Sequence, residues 1–204
     1  MRSADMAVAR IKRLNFTAKC YWIVEGDIKG FFDNIDHNVM IESLWQIGIR
    51  DKRILSIIKQ MLKAGVMDEC ETSELGTPQG GIISPLLANI YLNRFDRFIT
   101  GDFERKKLRR TYSRSDGRLQ AMRKHSKLKT AYYVRYADDW VILTDNKEDA
   151  ERLKYKAKRY LRDTLKLELS EEKTLITNHE RTTHPIPERQ HPPTRVGDTG
   201  RHQL

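Results

Sequence analysis

Three aspartates in this chain stand where a divalent metal site could form. Asp27 closes a run of β-forming residues, and Asp138 and Asp139 lie between two further runs of the same kind. If these runs are neighbouring strands of one sheet, the three carboxylates converge at one edge of it. Carboxylates held together repel one another unless a hard cation binds them. Two Mg²⁺ ions held in this way can support phosphoryl transfer, whereas an isolated Asp-Asp pair is usually a solvated turn.

The elements that must position these aspartates follow from residue periodicity. Runs of β-forming residues predict strands over 21–27, 132–136, 140–143 and 173–177. Apolar residues at helical spacing predict helices over 4–14, 37–47, 51–63, 85–98 and 147–165. Ser84 is predicted to cap the fourth helix, with Pro85 at its first position. Asp145 and Asn146 are candidate caps of the fifth. This order predicts an α+β fold in which helices cover one side of a small antiparallel sheet.

Positive charge is concentrated in one insertion, residues 105–130. Eleven of the 38 Lys and Arg residues, but only one of the 28 acidic residues, fall between positions 105 and 129, so this segment carries the whole net charge of +10. A neutral body with one basic segment indicates contact with a polyanion, and nucleic acid is the first candidate. A solvated basic loop is the alternative.

Composition also predicts where the protein is located and where its domain ends. The chain has no apolar leader and no run of 18 apolar residues, which predicts a soluble, cytoplasmic protein without a membrane partner. Its two cysteines, Cys20 and Cys70, form no disulfide framework and are expected to be reduced and buried. Residues 178–204 hold four of the six prolines and few apolar side chains. We therefore expect one domain over 1–177, followed by a disordered or unrelated tail.

Four motifs resemble those of group II intron reverse transcriptases, the intron-encoded maturase family found in mobile elements. In chain order they span residues 27–37 (DIKGFFDNIDH), 76–92 (GTPQGGIISPLLANIYL), 136–139 (YADD) and 165–174. The resemblance covers about residues 1–177 and implies a polymerase palm that lacks most of the fingers. The activity it implies is RNA-directed DNA synthesis, with dNTPs added to a DNA primer 3′-hydroxyl on an RNA template by two Mg²⁺ ions, or by Mn²⁺.

The resemblance also implies roles for individual residues. Asp27 and Asp138 would hold both metals, the backbone carbonyl of Ile28 would be a further ligand, and Asp139 would be the less direct partner. Lys173 would act as general acid toward the leaving pyrophosphate; a plain surface lysine is the alternative. Nucleotide contacts are expected from Ile28, Phe31, Phe32, Gln79 and Gly80. Contacts with template or intron RNA are expected from Arg105, Lys106, Lys107, Arg109, Arg110, Arg123 and Lys124.

Phe32 has a specific predicted role. It matches the aromatic residue beneath the nucleotide sugar, where its bulk would exclude a ribose 2′-hydroxyl and favour deoxynucleotides. An ordinary core aromatic is the alternative. For the whole chain, two functions remain open. Intact carboxylates favour a polymerase, whereas the absence of sequence for fingers and thumb favours a truncated, catalytically inactive remnant that at most binds RNA.

Overall fold

A computed structural model describes residues 3–63, 75–77, 81–101, 113–114, 117 and 131–179. Most of the basic insertion, Cys70, Gln79, Gly80 and the tail beyond residue 179 lie outside the described residues, so the predictions made for them stay predictions. In chain order the elements are α1 (Ala4–Ala18), β1 (Trp22–Gly26), a 3₁₀ turn (Phe31–Asn34), α2 (His37–Gln46), α3 (Lys52–Lys63), α4 (Ser84–Ile99), β2 (Tyr132–Tyr136), β3 (Asp139–Thr144), α5 (Lys147–Leu165) and β4 (Leu175–Asn178).

The four strands form one antiparallel sheet in the order β2-β3-β1-β4. Side chains alternate between its faces along each strand. Val24 and Ile142 join the larger core, which α2, α3, α4 and α5 complete. Their neighbours Ile23 and Leu143 point to the opposite face. The predicted α+β fold with a small antiparallel sheet is confirmed.

The first helix covers the face that was expected to be open. Leu14 and Ala18 of α1 pack with Ile23 and Leu143, so helices lie on both sides of the sheet rather than on one. The helical pattern of this segment shows that it has an apolar stripe, but not which face of the sheet the stripe meets. Ser3 caps the helix, its hydroxyl accepting a hydrogen bond from the Met6 amide at 3.2 Å.

The helix ends agree with the sequence in one case and not in another. Asn146 caps α5 as predicted, its side-chain oxygen accepting a hydrogen bond from the Asp149 amide at 2.8 Å. The predicted Ser84 cap is wrong: Ile83 occupies the cap position of α4, and Ser84 is a buried residue of the first turn. Pro85 still fits there, because no helical hydrogen bond needs its missing amide. Among the described residues, no helix combines the length and apolar character needed to cross a bilayer.

Aromatic side chains fill the larger core beneath the sheet. Phe95 of α4 lies edge-on to Trp140 of β3, with ring centroids 5.2 Å apart. Tyr91, one turn earlier, donates a hydrogen bond to the Leu165 carbonyl at 2.6 Å and so ties α4 to the end of α5. Burial raises the pKa of Tyr91 above its ordinary value, which keeps the hydroxyl a donor. These contacts give the sheet a rigid base.

Candidate metal and nucleotide site

Strand register brings the three predicted aspartates to one edge of the sheet. Gly26, the last residue of β1, pairs with Trp140 of β3. Asp27 therefore follows β1 beside Asp139, the first residue of β3. The β2–β3 connection is a two-residue turn whose second residue is Asp138. Residues more than 100 positions apart in the sequence thus meet where the two strands end.

A close approach between two strands fixes the spacing beside Asp27. A Cβ atom added at Gly26 would lie 2.1 Å from the ring of Trp140, far inside van der Waals contact. Only glycine leaves room for this buried ring against β1. No sequence motif predicted a role for Gly26. The need for a glycine here becomes visible only when its cross-strand partner, Trp140, is known.

A cavity of about 610 Å³ opens between α1 and the sheet, and Asp27, Asp139 and Lys173 lie on its wall. Asp139 was predicted to be the less direct of the two hairpin aspartates. Their order as metal ligands stays a prediction; Asp139 lies on the wall of this cavity, whereas Asp138 is not among the described residues that line it. The reason is that β3 begins at Asp139, so side-chain alternation puts it on the same face as Val141.

The carboxylates at this edge repel one another. Partial burial raises the pKa of Asp139, and the negative charges of Asp138 and Asp27 raise it further, while Lys173 acts in the opposite direction. The Lys173 ammonium lies 3.5 Å from an Asp27 carboxylate oxygen. Because the lysine side chain is 74% exposed, the pair is well solvated and contributes little to stability. A cation bound here would relieve the repulsion more fully.

The residues present fit a magnesium site of the open kind. No three His, Cys, Asp or Glu side chains in the described parts of the chain lie close enough to enclose a metal ion. Mg²⁺ does not need such a cage, because it commonly takes one or two carboxylates, keeps several waters and completes its shell with substrate phosphates. Asp27, Asp138 and Asp139 could supply one or two such carboxylates at this edge.

The Ile28 carbonyl lies beside a backbone bridge, and its role as a metal ligand stays a prediction. The segment after α5 pairs with the chain around Ile28 through two hydrogen bonds: Lys29 N–H to the Glu168 carbonyl, and Ser170 N–H to the Asp27 carbonyl, both at 2.9 Å. This bridge uses the groups on either side of Ile28 and not the carbonyl of Ile28 itself. The same pairing carries the chain toward Lys173.

The two phenylalanines of the 3₁₀ turn differ in exposure. Phe31 is 3% exposed and lies edge-on to Phe32 at 5.1 Å and to Tyr91 at 6.4 Å. The prediction of a nucleotide contact is thereby corrected for the Phe31 side chain, which is committed to the core. Phe32 is only partly buried and packs on the rim of that core. It remains the candidate for contact with a sugar.

A short segment at residues 75–77 braces this turn. Its backbone amides donate to the carbonyls of Ile35 and Phe32, both at 2.8 Å. The buried His37 ring lies 2.7 Å from the Gly76 carbonyl through Nε2 and so packs against this segment. The predicted contacts Gln79 and Gly80 lie outside the described residues. The segment that leads to them runs alongside Phe32.

Known proteins resemble this chain in both sequence and fold. Residues 1–191 match the family described as reverse transcriptase (RNA-dependent DNA polymerase). The chain is 38% identical to the group II intron-encoded protein LtrA of Lactococcus lactis subsp. cremoris, over 87% of its own length and 36% of LtrA. It is 34% identical to protein YkfC of Escherichia coli K12, over 76% of its own length and 43% of YkfC. The chain therefore spans less than half the length of these relatives.

A solved structure shares the fold at low sequence identity. Telomerase from Candida tropicalis, in complex with a TWJ fragment of telomeric RNA, matches with a TM-score of 0.57 and 15% identity. The match covers 89% of this chain and 30% of the telomerase chain. At this identity the likeness concerns the fold, and it agrees with a palm-type arrangement of helices and sheet.

Proposed function

This chain belongs to the reverse transcriptase family, and from that premise we propose that it is the palm of an RNA-directed DNA polymerase of the group II intron type. The observation that carries the proposal is the meeting of Asp27 with Asp138 and Asp139 where β1 ends and β3 begins. Lys173 lies 3.5 Å from the first of these carboxylates. The 38% identity to LtrA supports the intron-type assignment within the family.

The acidic edge would hold two Mg²⁺ ions, or Mn²⁺ in their place. Asp27, Asp138 and Asp139 would bind through carboxylate oxygens, and Ile28 would add its backbone carbonyl. The chemistry that such ions supply is activation of a primer 3′-hydroxyl and stabilisation of the pyrophosphate that leaves an incoming dNTP. The ammonium of Lys173 is exposed beside this edge. It can offset negative charge on the pyrophosphate and deliver a proton to it.

Sugar selection would be the task of Phe32. Its ring stands on the rim of the core, held from below by Phe31 and through its own backbone by Thr77. Held in this way, the Phe32 ring would exclude a ribose 2′-hydroxyl by its volume, which favours dNTPs. Gln79 and Gly80 would contact the nucleotide from the loop that follows residues 75–77.

The basic insertion at 105–130 would bind the RNA partner, as template or as intron RNA. Its charge would engage phosphates, so affinity should depend steeply on salt. Tyr112 is the one aromatic residue in the segment, so stacking on bases contributes little. The DNA primer is the second nucleic acid that this reaction requires.

Primer extension tests the proposal. The full chain is mixed with an RNA template, a DNA primer, dNTPs and Mg²⁺ or Mn²⁺, beside Asp27→Ala, Asp138→Ala and the control Asp163→Asn. Asp163 is an exposed acid of α5 that pairs with Arg162, so its variant should match the parent. We expect metal-dependent extension that the Asp27 and Asp138 substitutions abolish. Extension that survives them refutes the site, and RNA binding without any extension supports the inactive remnant instead.

A further inference from the structure

One partly buried guanidinium connects the β2–β3 hairpin to α4. Arg135 of β2 donates from Nε and Nη2 to the two carboxylate oxygens of Asp96, both at 2.7 Å. This parallel pair of charge-assisted bonds is the geometry in which arginine recognises a carboxylate most specifically. Only 12% of the Arg135 side chain is exposed, so the pair is largely shielded from solvent. Neither residue had a role predicted from the sequence.

The remaining nitrogen of the guanidinium reaches the turn that carries the catalytic aspartates. Nη1 of Arg135 donates to the Ala137 carbonyl at 2.6 Å and to the Asn89 side chain at 3.0 Å. The Ala137 carbonyl belongs to the planar peptide group that ends at the Asp138 amide. A bond that fixes this carbonyl therefore fixes the plane from which Asp138 projects. Ala137 itself has φ +55°, which a non-glycine residue adopts only when its surroundings hold it there.

The anchor of this network is itself fixed. Tyr133 donates from its hydroxyl to Asp96 at 2.9 Å, so the carboxylate accepts three hydrogen bonds from β2. Burial raises the pKa of Tyr133, and the charge of Asp96 raises it further, so the phenol stays a donor. Burial alone would lower the pKa of Arg135, but its bonds to Asp96 and the charge of that carboxylate raise it overall. The Arg135 guanidinium therefore stays protonated and keeps donating.

We propose that Arg135 is a positioning residue: anchored on Asp96, its guanidinium sets the turn that presents Asp138 and Asp139 to the metal-binding edge. The inference rests on the proposed function for its metal readout. Its structural part, control of the hairpin turn, stands on the hydrogen bonds alone. A residue that acts in this way changes metal affinity without touching the metal.

The test compares two ion pairs that each include one residue of α4. Arg94 of α4 pairs with Glu42 at 3.0 Å, and its side chain is 17% exposed, close to the value for Arg135. Arg135→Lys keeps the charge and removes the fork, and Arg94→Lys makes the same change away from the hairpin. Mn²⁺ affinity is measured on each full chain by electron paramagnetic resonance, and amide hydrogen exchange is followed across residues 136–140.

We expect Arg135→Lys to weaken Mn²⁺ binding by about 10-fold or more, the usual scale for outer groups that orient metal ligands. Exchange across the hairpin turn should accelerate in the same variant. Arg94→Lys should leave both readouts at parent values. Asn89→Ala removes the exposed acceptor of Nη1, together with the bond from Asn89 to the Pro85 carbonyl, and leaves the Arg135–Asp96 pair in place. It should give a smaller loss in the same direction and serves if Arg135→Lys does not fold.

Two results overturn the inference: unchanged exchange across residues 136–140 in Arg135→Lys, or an equal loss of Mn²⁺ affinity in Arg135→Lys and Arg94→Lys. Failure of the proposed function gives a different pattern. In that case the parent binds no Mn²⁺ that Asp27→Ala removes, while hydrogen exchange still decides whether Arg135 controls the turn.

Discussion

Replacing Gly26 with alanine should strain the packing between β1 and Trp140 beside Asp27. The new Cβ would stand 2.1 Å from a Trp140 ring carbon, whereas non-bonded carbons rest about 3.5–4.0 Å apart. The ring must therefore move by more than about 1 Å. It has little space to do so, because Trp140 is 2% exposed and Phe95 packs against it at 5.2 Å.

The expected loss is large for a single methyl group. Overpacking of a well-filled core costs about 1–3 kcal/mol, and a clash with a rigid indole belongs at the upper end, about 3 kcal/mol. Against a domain stability of roughly 5–15 kcal/mol this is a substantial fraction. For a chain of this size it corresponds to a fall in Tm of about 6–12 °C.

Urea denaturation followed by far-ultraviolet circular dichroism measures this loss. Gly101→Ala is the matched control, because no heavy atom of the described residues lies within 4 Å of a Cβ added there and the backbone is outside the left-handed region. It should change stability by less than about 0.5 kcal/mol. In a Trp140→Leu background the Gly26→Ala penalty should shrink, giving a coupling of about 2 kcal/mol. A loss below about 1 kcal/mol, or one that Trp140→Leu leaves unchanged, refutes the reasoning.

Further predictions concern charge, sugar selection and RNA. Because the folded-state pKa of Asp139 is raised, its ionisation opposes folding: the penalty is absent below the ordinary pKa of an aspartate and grows as pH rises through the raised value. Metal-free Asp139→Asn should therefore stabilise the fold at neutral pH by under about 1 kcal/mol, because the group is well solvated, and should not do so in acid. Thermal melts register the gain as a higher Tm, and an equal gain at both pH values contradicts this cause. Phe32→Ala should raise incorporation of ribonucleotides relative to dNTPs in primer extension, and an unchanged ratio removes Phe32 from sugar selection. Neutralising the basic residues of 105–130 should abolish RNA binding in filter assays and flatten its salt dependence, whereas unaltered binding would place the RNA contact elsewhere.

Local patterns sufficed for most elements of this fold. Alternating and β-branched residues located β2 without error, and β1 and β3 to within a residue or two. Asn146 was recognisable as a cap because its own side chain makes the bond. Two features could not be read locally. The side of the sheet that α1 covers depends on tertiary packing. The position of the α4 cap, at Ile83 and not at the predicted Ser84, depends on the path of the preceding loop.

The site was predictable where a residue carries its own chemistry. Asp27 and Lys173 were selected from residue type and motif, and their charged groups lie 3.5 Å apart; their catalytic roles stay predictions. Residues that act through partners were missed. The proposed role of Arg135 depends on its bonds to Asp96, 39 positions earlier in the chain. The need for glycine at position 26 depends on the Trp140 ring on the neighbouring strand. Which of Asp138 and Asp139 lines the cavity depends on the residue at which β3 begins, and that residue is Asp139.

Binding of Mn²⁺ to the full chain, located by paramagnetic broadening of amide signals, tests the central claim most directly. The account predicts the strongest broadening at residues 27–28 and 138–139, and its loss in an Asp27→Ala, Asp138→Ala double variant that remains folded. Equal broadening in the double variant, or broadening centred away from the ends of β1 and β3, would contradict a shared metal site and with it the assignment of this edge as a polymerase centre.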